Sequence, residues 1–592
     1  MSEPAAPILP RTEFRKEHVL ALVSGALFFL AFFGLTETAS GLVITFLSPM
    51  TYASPGELLF WLGHALLLFP GASLIGFGLS PWLAPRLLKA WQLADGMDRR
   101  TRIAVALIIF LFAAGAARLS HAVVLADYPV TDDEYATRFG GQVLAMGKAA
   151  VPSPEPWEAF STLFLISQDG KTTSFDFPGV QVAWAISEIT HTGPWIYAVA
   201  AAVAALCLAL LLGLRLSAGY GLTAFVFFLF SPMAFTLSAT THAHLLSRAL
   251  IALALYAFVR AERRSTWGSW ILVGFAAGFA FFCRPVESVF LLAPLFFDLV
   301  VRSLRGTGGG RKAIYGILAG AAAPLLLFAL HNGLVTGNAL MSARLSADGS
   351  IGALGSGSLW ARFGQNAGFN LFLLIVWFLG PLGLLLAALG VLTDRFTRLL
   401  GLGVAAVLAA ALIHNNQGLH IVGPIHYSEC AVPLTVLAVH GLANVRGWLA
   451  RRAISFRIPA SMVASALVLG LGTFVAWQCV ALNGLVRPQK TIYARVEREA
   501  APPAGGRSVL LAPRFRKVWE NVPEFKETGG WVFQWRRARP DLSDRILIVH
   551  DVPGAEEALR KRFPERKFFR LKNLTDPPYF EISALGNEAP SR

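Results

Sequence analysis

Charge is what this sequence has least of. Asp, Glu, Lys and Arg make up only 15% of its 592 residues, against about 25% in an ordinary soluble globule. Hydrophobic residues reach 55%, and they fall in long unbroken runs rather than at strand or helical periodicity. That excludes a water-soluble globule and indicates a polytopic membrane protein. Cysteine is also scarce. The four present, Cys207, Cys283, Cys430 and Cys479, lie in or beside apolar runs without metal-ligand spacing, so no disulfide framework is implied. A Walker-type phosphate loop, a dinucleotide-binding glycine fingerprint and an HExxH pair are absent, so neither a nucleotide site nor a zinc site is indicated. The formal net charge of +15 is not gathered into one patch, which argues against a nucleic-acid partner.

The basic residues sit mostly in short segments between apolar runs, where they read as orientation signals. Arg86, Lys89, Arg99, Arg100 and Arg102 mark one inner loop. Arg215, the group Arg260, Arg263 and Arg264, the group Arg302, Arg305, Arg311 and Lys312, the pair Arg395 and Arg398, and the group Arg446, Arg451 and Arg452 mark the next ones. Alternating the runs about these markers predicts about thirteen membrane spans if each takes roughly 20 residues. The polar Met1–Glu17 segment precedes a run too long for a signal-peptide core, which reads as a retained span. The expected fold is therefore an all-α polytopic membrane protein followed by a small α/β module. Residues 1–102 form an N-terminal extension with two spans, 103–482 the core with an outer loop at 126–193, and 483–592 a soluble extracytoplasmic part. In that last part Ser508–Ala512, Arg545–His550 and Lys567–Leu571 read as strands and Ala555–Phe563 as an amphipathic helix.

The chain is organised around the polar stretch from Asp127 to Thr192. It opens with Thr131-Asp132-Asp133-Glu134-Tyr135 just past a predicted span and closes with Gly170-Lys171-Thr172-Thr173-Ser174-Phe175-Asp176-Phe177-Pro178-Gly179. Acids crowded at a membrane surface cost solvation and repel one another, so they call for a function; the alternative is a solvated acidic turn. Arg248 and Arg284 are candidate phosphate holders, because guanidinium binds phosphate bidentately. The alternative for each is an anchor at the lipid interface. His244 lies four residues before Arg248 on the same helical face, and His426 and Glu429, three apart, can share another. Lys171 reads rather more readily as part of an ordinary hairpin turn.

These stretches resemble, in order, the motifs of the polyprenyl-phosphate-sugar-dependent glycosyltransferases of the GT-C fold, which include protein O-mannosyltransferases and lipid A aminoarabinose transferases. Asp133-Glu134 opens the first large outer loop. Gly170-Lys171, Ser174 and Phe177-Pro178-Gly179 look like the family's G-K-x-x-S and Y-P-P-G stretch. Phe230-Ser231-Pro232 with His242 looks like its SP…H helix pair, and Gly274 to Cys283-Arg284-Pro285 like its G-x-x-x-G…R-P segment. Thr336-Gly337-Asn338 resembles the T-G-N loop, and Gly423-Pro424 through Glu429 to Pro433 the G-P-R-Y-x-x-E-x-x-P stretch. There are departures. Ile425-His426 replaces the arginine expected after Gly423-Pro424, and Asp176 stands where an aromatic–proline pair would lie.

The resemblance implies a membrane enzyme at the cell (inner) membrane. It would move a monosaccharide from a polyprenyl-phosphate carrier to an envelope acceptor on the extracytoplasmic side, with a divalent metal as a possible companion. Asp133 would be the general base, Glu134 a positioning or acceptor-binding group, and Asp132 the competitor for the base. Arg248, Arg284, His244, Lys171, His426 and Glu429 would serve the substrates. The rival reading is a secondary transporter or lipid flippase. That rival expects inverted repeats and ionisable groups near mid-membrane, whereas no repeat is detected and the charges gather at one face.

Overall fold

In the computed structural model of the chain, the described residues are 14–38, 63–306, 310–344, 363, 374–375, 377–413, 419–420, 423–452, 456–473, 479–502, 505–526 and 532–586. The chain is a multi-pass helical membrane protein. Seven of the described helices are long and apolar enough to cross a membrane, or eight if the bent pair Ala218–Phe230 and Pro232–Ser238 counts as one span. A count of about thirteen at roughly 20 residues each would have to draw on the shorter apolar helices Trp267–Cys283, Gly380–Val391 and Arg457–Gly472, and on residues outside the described ones. The expected first span, Val19 to Leu47, is helical as Lys16–Thr38 and otherwise lies outside the described residues.

One inner loop is a helix instead. Arg86 and Lys89 fall within the helix Phe69–Gly96, which runs on past its apolar part. Ala84, Leu88, Trp91 and Ala94 are buried along one stripe of it, so an amphipathic face carries the helix beyond its membrane segment. The Trp91 indole donates to Thr223 Oγ1 at 3.1 Å.

Two breaks set the stage for the site, and both are written in the sequence as X-Pro. At Ser231-Pro232 the chain bends by 65°, with Ser231 extended at ψ 122°. At Arg284-Pro285 the helix Trp267–Cys283 stops and Pro285–Leu304 begins, with Arg284 at φ −148° and ψ 87°. Proline disfavours the helical region for the residue before it and brings no N–H of its own. Each break therefore turns a polar side chain, or a freed backbone carbonyl, toward the same end of the bundle.

Beyond the helix Cys479–Glu499 the chain forms a four-stranded sheet. Its order is Ile546–His550, Ser508–Ala512, Lys567–Asn573, Phe580–Ala584, the first three strands parallel and the last antiparallel. Ser508–Ala512 and Ile546–His550 are buried along their whole length, with Ala555–Arg562 packed alongside. One face of this unit meets the polar stretch after the Arg99–Val124 helix: Ala159 and Phe160 pack with Val509, Leu547 and Phe568. Tyr128 stacks on Tyr493 at 5.9 Å between ring centroids, and Gln489 Nε2 donates to the Pro129 carbonyl at 2.6 Å.

Candidate active site

Thr131-Asp132-Asp133-Glu134 starts the helix Asp132–Ala145 with a capping box. Thr131 is the N-cap, and Glu134 reaches back to accept from the Val130 and Thr131 N–H groups at 2.8 and 3.3 Å. Three acids in the first turn also face the positive end of the helix dipole, which offsets part of their mutual repulsion. Two glycines, one on this helix and one on the helix Pro178–Thr190, allow close packing. A Cβ on Gly141 would collide with Trp184, and one on Gly179 would lie 2.6–2.8 Å from the Phe282 and Cys283 backbone. The helix Pro178–Thr190 is thereby sandwiched between the acidic helix and the end of Trp267–Cys283, next to Arg284. That close approach is the physical content of the Phe177-Pro178-Gly179 stretch.

The three adjacent acids have different fates. Both oxygens of Glu134 are taken: besides the cap, the Thr241 N–H and Oγ1 donate to Oε2 at 2.7 and 2.6 Å. Its side chain is buried and ties the acidic helix to the turn after Ser238. His242 sits at that turn with Nε2 3.3 Å from Thr131 Oγ1 and 3.8 Å from Glu134. Asp132 accepts from the Phe533 N–H at 2.9 Å and pairs with Arg537 at 3.3 Å. Of the three, only the Asp133 carboxylate has no hydrogen-bond or ion-pair partner among the described residues. Burial, then the neighbouring Asp176 carboxylate, push it up to about 7, with Arg344 and Arg284 opposing from the other side.

Asp176 belongs to the same cluster. Its carboxylate accepts from Thr137 Oγ1, one turn along the acidic helix from Asp133, and Gln181 Nε2 holds its carbonyl at 2.7 Å. Arg344 stacks over the Phe175 and Phe177 rings at 4.6 and 5.9 Å. Sequence reading noticed Asp176 only as a departure from a motif. It missed Arg344. The aromatic–Asp–aromatic spacing of Phe175-Asp176-Phe177 is the one signal that could have pointed to a cation platform.

A second cluster lies behind the first. His244 Nδ1 stands 2.9 Å from Glu429 Oε1, and Ser428 Oγ donates to Glu429 at 3.1 Å. Arg284 donates to Glu287 Oε1 at 2.6 Å. Arg248, only 1% exposed, gives its two terminal nitrogens to the Ala234 and Met233 carbonyls at 3.1 and 3.3 Å. Those carbonyls belong to the short helix that follows the Ser231-Pro232 break, so Arg248 braces that break. The Nε atoms of Arg248 and Arg284 are buried without partners. His426 lies half-buried on the same short 3-10 turn as Glu429, whose partner across the bundle is His244. Lys171 lies apart from both clusters, exposed on the hairpin strand Lys171–Ser174.

His244, Glu287 and Glu429 are the one group among the described residues whose ligand atoms, all within 4.8 Å of one another, could hold a metal ion. Its donor set, one imidazole and two carboxylates, suits a divalent cation. Arg284 already pairs with one of the carboxylates, and a dication there would displace or repel it.

Residues 187–331 match the family described as dolichyl-phosphate-mannose-protein mannosyltransferase. The match takes in 145 of the chain's 592 residues. The matched residues include His244, Arg248 and Arg284, and stop short of Asp132–Glu134 on one side and Arg344 and Glu429 on the other. In fold the chain is similar to ArnT from Cupriavidus metallidurans bound to undecaprenyl phosphate, with a TM-score of 0.48 and 12% identity, covering 82% of this chain and 97% of that one. It is also similar to the Archaeoglobus fulgidus oligosaccharyltransferase in complex with Zn and sulfate, with a TM-score of 0.37 and 14% identity over 72% and 62% of the two chains. Arabinofuranosyltransferase AftD from Mycobacteria gives 0.37 and 14% over 75% and 35%. None of these likenesses carries a residue onto this chain, and no curated protein matches it in sequence.

Proposed function

We propose that the chain is a GT-C glycosyltransferase that moves a monosaccharide from a polyprenyl-phosphate carrier to an envelope acceptor, with Asp133 as general base. The observation that carries the reading is the unpartnered Asp133 carboxylate between two acids whose oxygens are already held. It faces two cations, Arg344 and Arg284. A base must be free to take a proton, and a departing phosphate needs fixed positive charge nearby; this arrangement supplies both. The acceptor hydroxyl would attack the anomeric carbon as Asp133 takes its proton. The bond from that carbon to the phosphate oxygen would break, leaving polyprenyl phosphate with its charge toward Arg284 and Arg344.

Arg284 is already paired with Glu287, so in this reading it acts through a shared charge and its unpartnered Nε. Arg344 is the more available of the two. The ArnT structure that holds undecaprenyl phosphate motivates the choice of donor class. The acidic stretch and the C-terminal sheet would stand on the extracytoplasmic side, opposite the basic loops, in the cell membrane. The C-terminal segment would close the site over the acceptor.

The test is transfer from labelled polyprenyl-phosphate monosaccharides in membranes, mannose first because the matched family uses it. Asp133→Asn keeps the shape but cannot accept the proton, so transfer should fall by roughly 10²-fold or more with donor binding unchanged. Full transfer in that variant overturns the assignment.

A further inference from the structure

We propose that Arg537, from the C-terminal segment, is a positioning residue of the acidic helix. It ties Asp132 in an ion pair and so leaves Asp133 as the carboxylate available for chemistry. The inference rests on the reading of Asp133 as base, and goes beyond it by making a residue 405 positions downstream part of the same catalytic apparatus.

The geometry is specific. Both oxygens of Asp132 are held by the C-terminal segment: Oδ1 by Arg537 Nη1 at 3.3 Å and Oδ2 by the Phe533 N–H at 2.9 Å. Arg537 does more than pair. Its other terminal nitrogen donates to the Leu163 carbonyl, and its guanidinium lies 5.7 Å from the Tyr135 ring centroid. One side chain therefore clamps the start of the acidic helix to the loop before the hairpin strand Leu165–Gln168. The Asp132 and Arg537 side chains are 1% and 3% exposed, so neither charge has water as a substitute partner. Neighbouring contacts reinforce the join: the Tyr135 hydroxyl donates to Gln489 Oε1 at 3.2 Å, and Arg539 lies 3.5 Å from Glu188.

The chemistry follows from burial. A carboxylate stripped of its cation in such a place must take a proton or pull away toward water. Asp132 and Asp133 are adjacent on the first turn of one helix, so either response displaces Asp133 or gives it a proton-sharing neighbour. In the intact protein Arg537 prevents both. It touches no reacting atom in this reading, and its effect passes through Asp132.

A merely structural arginine makes a different forecast, which a charge-neutral rescue exposes. In full-length protein in nanodiscs, Arg537→Met should lower kcat by roughly 10–100-fold, the range expected for a misplaced catalytic group. KM for undecaprenyl-phosphate-linked mannose, the probe donor, should stay near the wild-type value. Arg537→Lys, which keeps the charge, should recover part of the loss. Asp132→Asn combined with Arg537→Met should recover more, because the amide still accepts from the Phe533 N–H and needs no counter-ion. The melting temperature reads the same coupling without turnover, falling in Arg537→Met and rising again in the double variant. Wild-type kcat and melting temperature in Arg537→Met overturn the proposal. So does a double variant as slow and as unstable as Arg537→Met, since that is the signature of packing alone. Full transfer in Asp133→Asn overturns the reading of the base. Loss of transfer in Asp133→Asn beside an undisturbed Arg537→Met overturns the positioning role alone.

Discussion

The pH profile tests the base most directly. Asp133 is raised from 3.8 to about 7. A raised carboxyl is protonated until the pH reaches that value, so the base form grows tenfold per pH unit below about 7 and levels off above it. Transfer should therefore show a single acidic limb with its midpoint near 7. The same shift has a stability consequence with the opposite preference. Because the folded value lies above the unfolded one, its favourable contribution is whole below 3.8 and is lost as pH rises through about 7. The displacement corresponds to about 4 kcal/mol at most, and less is expected because Asp133 keeps some contact with solvent. Asp133→Asn removes this penalty. At about pH 8 the variant should melt higher than wild type while transferring poorly, and the difference should vanish toward about pH 4. Rate against pH, with differential scanning fluorimetry on the same preparations, measures both. A flat rate between about pH 6 and 8, or a variant that is inactive and also less stable at alkaline pH, refutes the argument.

Arg344→Ala removes the cation that most opposes the rise of Asp133, so the acidic limb should move to higher pH and donor binding weaken; an unmoved limb in a folded variant would detach Arg344 from the site. Glu134→Gln turns an acceptor of four donors into an amide with one accepting oxygen, and should lower both melting temperature and kcat, the latter roughly tenfold or more; an unchanged melting temperature would contradict its capping role. Because Arg284 already pairs within the His244, Glu287 and Glu429 group, EDTA should leave transfer unchanged, and a zinc- or manganese-restorable loss would show a resident cation. Asp95→Cys should be shielded from an impermeant thiol reagent in intact cells and Ser543→Cys labelled, after subtraction of the native cysteines; equal labelling of both would place them on one side.

Composition and patterning were enough to establish the solvent this protein lives in. Long apolar runs have no other stable home, so its multi-pass helical character followed without a fold in hand. The order of motifs pointed to the enzyme class proposed above, and Thr131-Asp132-Asp133-Glu134 is a capping box legible by spacing alone. The break at Arg284-Pro285 was also visible, because proline acts locally. The span count was less legible, since an amphipathic stripe carries Phe69–Gly96 past its apolar part and X-Pro steps cut other runs short. Which of three adjacent acids is free could not be read from the chain at all. That depends on Thr241, Phe533 and Arg537, which sequence separates from the acids by a hundred to four hundred positions. The same holds for Arg248, whose bonds to the Met233 and Ala234 carbonyls give a buried guanidinium a bracing role where sequence offered it as a phosphate holder. Local rules act over a turn or two of chain, whereas a buried charge must be balanced by whatever the fold brings within hydrogen-bonding reach.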